Sequence, residues 1–288
     1  MNFTKMQGAG NDFILVEASD MAQDWSQMAI AMCDRHFGIG GDGLLLVLPS
    51  NKADVQMREF NADGSEAEAC GNGLRCVVKY AAYKRLVSDD AQQILVETMS
   101  GIREATLHKA GGKITGIQVS MGKPEFRAKD IPVLVEPNQE GIVDIKPTLD
   151  YPITVDDKEL LLNFVSMGNP HAVCFCKQPV SDFPLSRLGP AVEKHKLFPN
   201  RTNFEVANVI SEQRIEARVW ERGVGETLAC GSGACAIAVV AQLHGYIGRE
   251  VDIKLLGGLL SIAWDGMGEV LLSGPAEVVF SGEWPSEE

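Results

Sequence analysis

The sequence predicts an α+β protein of two pseudo-symmetric lobes, each a curved, mostly antiparallel sheet wrapped around a central buried helix. Three observations carry that expectation. Most of the chain reads as short alternating or β-branched runs separated by turns. Few segments have helical spacing, and one of those is apolar on nearly every face, so it needs a sheet around it. A motif also recurs: Ala-Cys-Gly-Asn-Gly at 69–73 and Ala-Cys-Gly-Ser-Gly at 229–233, each opening a long apolar helix. Two copies so far apart suit a duplicated α+β unit, not a solenoid, whose period is roughly 20–50 residues.

Taken in order, FILVEA (13–18), VQMREF (55–60), QQILVETM (92–99), IREATLH (102–108) and KITGIQVSM (113–121) read as strands. WSQMAIAMCDR (25–35) has amphipathic helical spacing, and GNGLRCVVKYAAYKRL (71–86) aligns Leu74, Val77, Val78, Ala81 and Ala82 on one face. A Pro-containing, weakly patterned stretch from Lys123 to Pro152 separates these from ELLLNFVSM (159–167), HAVCFC (171–176), FEVANVI (204–210), RIEARVWE (214–221), VDIKLL (251–256) and EVLLSG (269–274). LSRLGPAVEKHK (185–196) is amphipathic, with Pro190 expected to interrupt it. GSGACAIAVVAQLHGY (231–246) is the helix with no polar face. The boundary is expected near 122–130, giving lobes 1–125 with Cys70 and 126–275 with Cys230. Residues 276–288, with the strand AEVVFSGEW (276–284), are a candidate completion of the first lobe.

Composition narrows the function. A chain of 288 residues matches two domains at about 150 residues each, and 45% apolar residues supply a core for both. A net charge of −13 argues against nucleic acid and anionic membranes as partners. No run of apolar residues is long enough for a transmembrane helix, and MNFTKMQGAGNDF has neither the basic start nor the apolar run of an export signal. Seven cysteines without such a signal favour reduced thiols in the cytoplasm. Their spacing includes no CxxC pair, so no metal site is expected. Gly38-Ile-Gly-Gly-Asp-Gly43 lacks the strand and helix context of a dinucleotide loop, and no GxxxxGK[ST] occurs.

The repeated motif has chemistry of its own. A helix start carries unpaired backbone N–H groups and the positive end of the dipole. A cysteine there is expected to have its thiolate stabilised, and the glycines let a carboxylate approach the same N–H groups. Two such motifs facing each other across a cleft would place two sulfurs on opposite sides of one carbon. That is the equipment for racemisation by two bases, with no redox or carbonyl cofactor. Buried structural cysteines at tight turns are the plain alternative for any one motif.

The blocks KMQGAGNDF (5–13), DRHFGIGGDG (34–43), FNADGSEAEACGNGLRC (60–76), GNPH (168–171), RTNFEV (201–206) and VWERGVGETLACGSGAC (219–235) together resemble the diaminopimelate epimerase family. The resemblance covers the whole chain and implies a pyridoxal-independent epimerase interconverting LL- and meso-2,6-diaminopimelate in lysine and peptidoglycan precursor synthesis. It implies Cys70 and Cys230 as the acid/base pair, with Gly71, Asn72, Gly231 and Ser232 presenting helix-start donors to the reacting carboxylate. It implies Asn61, Asn169, Asn203 and Arg222 around the distal carboxylate, Glu221 on the distal ammonium, and Asn11 lining the site. His171 and Glu221 would sit beside Cys70 and Cys230 respectively and set their protonation. A homodimer is also implied. One departure is that part of the family has glutamine where this chain has Gly43. A guanidinium with amide donors is an ordinary carboxylate clamp. The four asparagines could equally be turn residues. A proline-type isomerase and a non-catalytic binding protein are the rival readings.

Overall fold

A computed structural model describes residues 1–67, 70–111, 113–135 and 147–285. Residues 68 and 69 of the first motif's surroundings, residue 112, residues 136–146 within the Pro-containing stretch and residues 286–288 lie outside the described residues. The chain divides into two compact units, one of residues 1–120 with 273–288 and the other of residues 121–272.

In the first unit the elements are β1 (Asn2–Gly8), β2 (Asn11–Glu17), α1 (Trp25–Cys33), β3 (Gly43–Leu48), β4 (Val55–Asn61), β5 (Glu66–Ala67), α2 (Gly71–Tyr83), β6 (Gln93–Thr98), β7 (Gly101–Ala110) and β8 (Lys113–Ser120). β1 pairs antiparallel with β2, β2 parallel with β3, and β3 antiparallel with β4. β4 then pairs antiparallel with β5 and parallel with β6, and β6–β7–β8 is a meander. The last strand of the chain, Glu277–Glu283, adds antiparallel to β1, with a register shift between Lys5 and Met6. The sheet curls because α2 packs against strands from across it: β1, β2, β3, β4, β6 and β8.

The second unit repeats this order with β9 (Tyr151–Val155), β10 (Lys158–Ser166), β11 (Pro170–Phe175), α3 (Leu185–Glu193), β12 (Asn203–Ser211), β13 (Arg214–Glu221), β14 (Gly225–Thr227), α4 (Gly231–Leu243), β15 (Glu250–Leu255) and β16 (Gly258–Ala263). β9 is an added strand, antiparallel to β10; the β10–β11 hairpin then stands where β1–β2 does, and its second strand again runs parallel to the next, β11 to β12 with His171 opposite Asn203. β12–β13 and β13–β14 are antiparallel, and β13–β15 is parallel. α4 touches β10, β11, β12, β15 and β16. Its residues Ala234 to Ala241 are all buried, as a helix without a polar face requires. Truncating Ile237 or Val240 to Ala would cost about 2–4 kcal/mol on this burial.

The expected strands and four helices are present, with ends shifted by a few residues. The pattern missed the short strands β5, β9, β14 and β16, as well as β1, whose Thr4 and Lys5 are polar yet buried, and GLLLVL of β3, buried on both faces and so without alternation. The expected break at Pro190 is corrected: α3 runs through it to Glu193. The carbonyl that loses a donor is that of Ser186, four residues earlier on an exposed position, where water can replace the missing N–H. Gly189 lets α3 lie flat on Trp220, since a Cβ there would stand 2.5 Å from the indole.

Candidate functional site

Each Cys-Gly-x-Gly motif forms a helix entrance. Cys70 is the residue before α2, with φ −118° and ψ 130°, and Cys230 is the residue before α4, with φ −120° and ψ 115°. The two backbones match, and each sulfur stands at a helix start.

At the α2 entrance, Cys70 is half-buried and its Sγ donates to Asn11 Oδ1 over 3.6 Å. Asn72, fully buried, donates from Nδ2 to the same oxygen over 3.2 Å. Arg75, also fully buried, donates from Nη2 to Asn72 Oδ1 over 2.7 Å and from Nη1 to the Gly71 carbonyl over 3.2 Å. Asn11 in turn donates from Nδ2 to Asp42 Oδ2 over 2.7 Å. Arg35 ties Asp42 (2.8 Å) to Asp12 (2.7 Å), and buried Lys5 pairs with Asp12 over 2.6 Å. Burial pushes the Asp12 carboxyl up, but hydrogen bonds from Arg35 and Lys5 outweigh it and hold the group down at about 2. Asn61, at the exposed end of β4, donates to Ser65 Oγ over 3.0 Å.

At the α4 entrance, Cys230 is buried, and its Sγ accepts from the Gly233 N–H over 3.4 Å and lies 3.5 Å from Ser232 Oγ. The expected lowering of its pKa is corrected. Burial, and then the carboxylates of Glu221 and Glu205, push the Cys230 thiol well above the ordinary cysteine range. The Ser232 hydroxyl and Gly233 N–H pull the other way and lose, because a helix start acts through N–H groups while burial removes the solvation of the whole ion. Burial likewise pushes the Glu221 carboxyl up, against hydrogen bonds from Thr227 and Cys230.

His171 is fully buried, its Nδ1 2.7 Å from Glu205 Oε1 and its Nε2 2.9 Å from Asn169 Oδ1. Asn169 Nδ2 reaches Ser232 Oγ over 3.4 Å, so His171, Asn169, Ser232 and Cys230 form one chain of contacts. Asn203 bridges two backbones: its Nδ2 donates to the Pro170 carbonyl over 2.8 Å and its Oδ1 accepts from the Arg222 N–H over 2.9 Å. Glu193 fastens the other side of that turn, accepting from Trp220 Nε1 and from the Gly223 N–H, each over 2.9 Å. The exposed Arg222 side chain thus springs from a fixed turn, and its guanidinium donates to the Asn200 carbonyl over 3.4 Å. Asn11, Gly71 and Asn72 thus gather at Cys70, while Asn169, His171, Glu221, Gly231 and Ser232 gather at Cys230. Asn203 and Arg222 form the adjoining turn, and in the first unit Asn61 belongs to the turn it closes with Ser65.

Sequence reasoning missed Asp42, Arg75, Glu193 and Glu205. Glu205 and Arg75 did carry a signal, each a charge set in an apolar run (NFEVANV and GLRCVV). Asp42 lay within the block DRHFGIGGDG without being singled out, and Glu193 carried no signal.

The comparisons with known proteins agree along the chain. The profile of the family described as diaminopimelate epimerase matches residues 3–127 and 163–279. A protein of Desulfovibrio desulfuricans named diaminopimelate epimerase is 48% identical over 286 residues, covering 99% of this chain and 98% of that one. One of the same name from Methanococcus maripaludis is 45% identical, covering 98% and 99%. Among solved structures, a hydroxyproline epimerase from Agrobacterium vitis superposes with a TM-score of 0.71 at 12% identity, covering 98% of this chain and 91% of that one. A Bacillus anthracis protein of the PhzF family superposes at 0.69 with 16% identity, covering 99% of each. At such identities these structures speak for the fold.

Proposed function

We propose that this chain, which belongs to the diaminopimelate epimerase family, interconverts LL- and meso-2,6-diaminopimelate with Cys70 and Cys230 as its two acid/base groups. It is an isomerase, and no redox or carbonyl cofactor enters the reading. The observation that carries the mechanism is the doubled entrance: two sulfurs, each the residue before a buried helix, in matched backbone conformations. One thiolate takes the α-proton, so the Cα–H bond breaks and an S–H bond forms. The opposing thiol gives its proton to the other face of the same carbon and is left as the thiolate. The starts of α2 and α4, at Gly71 with Asn72 and at Gly231 with Ser232, offer N–H groups to the carboxylate as charge builds on it.

In this reading Arg222, Asn61, Asn169 and Asn203 meet the distal carboxylate and Glu221 the distal ammonium, and His171 and Glu221 set the protonation of the cysteines. Support for Arg222 is its exposed guanidinium on a turn fixed from both sides. Cys230 enters as the thiol, since burial and two carboxylates favour that form. The enzyme is further taken to be a cytoplasmic homodimer, in keeping with family likeness. Sedimentation of the purified chain at twice the monomer mass is expected. The direct test is incubation with LL-diaminopimelate in heavy water. Solvent deuterium should enter the α-position as meso isomer forms, whereas deuteration of a proline-type substrate in its place would reject the substrate assignment.

A further inference from the structure

We propose that Asp42 and Arg75 are positioning residues that lock the Asn11 amide so that its carbonyl oxygen, and not its NH2 group, faces the Cys70 sulfur. An ionised carboxylate only accepts hydrogen bonds and a guanidinium only donates them. Asp42 Oδ2 accepts from Asn11 Nδ2 at 2.7 Å, so the Asn11 amide nitrogen must point to Asp42. Asp42 is held there by the Asp12 N–H on Oδ2 (3.0 Å) and by Arg35 on Oδ1 (2.8 Å). At the other end, Arg75 Nη2 donates to Asn72 Oδ1 over 2.7 Å, which turns the Asn72 NH2 toward Asn11 Oδ1 at 3.2 Å.

Four side chains therefore donate in one direction, Arg75 to Asn72 to Asn11 to Asp42. Neither amide can turn over without setting N–H against guanidinium or carbonyl against carboxylate. At the Arg75 end, where Arg75 and Asn72 are fully buried, such a clash costs more than a hydrogen bond is worth, while at the exposed Asp42 end the direction is set by a carboxylate that only accepts. Asn11 Oδ1 is left as the fixed acceptor for Cys70 Sγ at 3.6 Å. An acceptor oxygen favours S–H over S⁻, so the lock opposes the pull of the α2 start and makes the Cys70 thiolate harder to form. The other charged groups of this corner are Asp12, Arg35 and Lys5 at the Asp42 end, and at the helix end Glu59, whose Oε2 is 3.3 Å from where a Cβ on Gly73 would stand. The run Gly38–Gly43, which matches no nucleotide loop, so acquires a role through Asp42.

The inference rests on Cys70 being one of the acid/base groups, but its test is read without substrate. The rate at which iodoacetamide alkylates Cys70 at neutral pH is followed by peptide-resolved mass spectrometry. Asp42→Asn offers either end of an amide and should speed alkylation of Cys70 about tenfold, equal to one pKa unit. Asp42→Glu, which still only accepts, should keep the wild-type rate within about twofold. Asn11→Leu, similar in size and lacking the acceptor, should match Asp42→Asn, and the two changes combined should add nothing further. An unchanged rate in Asp42→Asn or in Asn11→Leu overturns the proposal. So does an equal acceleration by Asp42→Asn with and without Asn11, which would be a charge acting through space. If Asp42→Asn does not fold, Asn11→Leu decides alone, by rising or staying level. Loss of α-deuteration in Cys70→Ala is a separate reading, and its failure would reject Cys70 as acid/base group while leaving the amide lock intact.

Discussion

The two helix entrances share a sequence, a backbone conformation and a cysteine, and they differ in what surrounds the sulfur. At α2 the sulfur donates to a side-chain oxygen, and the supporting charges, Asp42 and Arg75, stand behind two asparagines. At α4 the sulfur accepts from the Gly233 N–H, and carboxylates stand directly by. The contrast extends to the strands beneath. Gly73 has the Glu59 carboxylate and Leu45 methyls against it, and Gly233 has the Glu205 carboxylate and Cys230 itself. The two entrances thus share the element that makes a helix start and differ in the side chains below it.

The largest test removes either sulfur. Cys70→Ala and Cys230→Ala should each lower kcat by about 10²–10⁴-fold, the usual worth of a placed acid or base, while thermal unfolding shifts little. Near-normal turnover in either variant would dissolve the pairing on which the comparison depends. Glu205→Ala strikes the second unit alone. It strips His171 Nδ1 of its partner in a fully buried place and should cost about 2–4 kcal/mol in denaturant unfolding. A loss under about 0.5 kcal/mol would mean the pair is not made in solution. Arg222→Lys should raise KM by about tenfold or more with kcat little changed, because the planar fork for a carboxylate is lost. Steady-state kinetics with unaltered KM would remove Arg222 from the distal end.

Alanine at the paired glycines sharpens the contrast. At Gly233 a Cβ would lie 3.0 Å from Glu205 Oε1 and 3.3 Å from the Cys230 Cβ, whereas at Gly73 its nearest neighbours, at 3.3 Å, are the Glu59 carboxylate and a Leu45 methyl. Gly233→Ala should therefore destabilise by about 1–3 kcal/mol and Gly73→Ala by less, read as the difference between the two midpoints. The smallest effect is in pH. The Cys230 thiol is raised in the folded chain above the ordinary 9.0, so folding holds a proton that the unfolded thiol releases. Its contribution is present below pH 9 and is lost as pH rises above it, so wild-type stability should fall there more steeply than that of Cys230→Ser. Identical slopes would mean that burial does not hold this thiol protonated.

Much of this was legible in one dimension. Alternation in RIEARVWE marks β13 to the residue, because one face is buried and the other is not. The all-apolar α4 announces its own burial, and Cys-Gly-x-Gly before each apolar run marks both helix entrances, since a helix start and a glycine's conformational freedom are local properties. Register, partners and protonation are not local. That the last strand joins β1 depends on which edge stands open after the rest has folded. The place of Arg75 and Glu205 in the interior depends on oxygen and nitrogen atoms brought from distant strands. The Cys230 thiol shows the limit most plainly: the sequence supplies the helix start that would lower its pKa, and only the tertiary structure supplies the burial and the carboxylates that raise it, because solvation is lost to the whole surroundings and not to the neighbours in the chain.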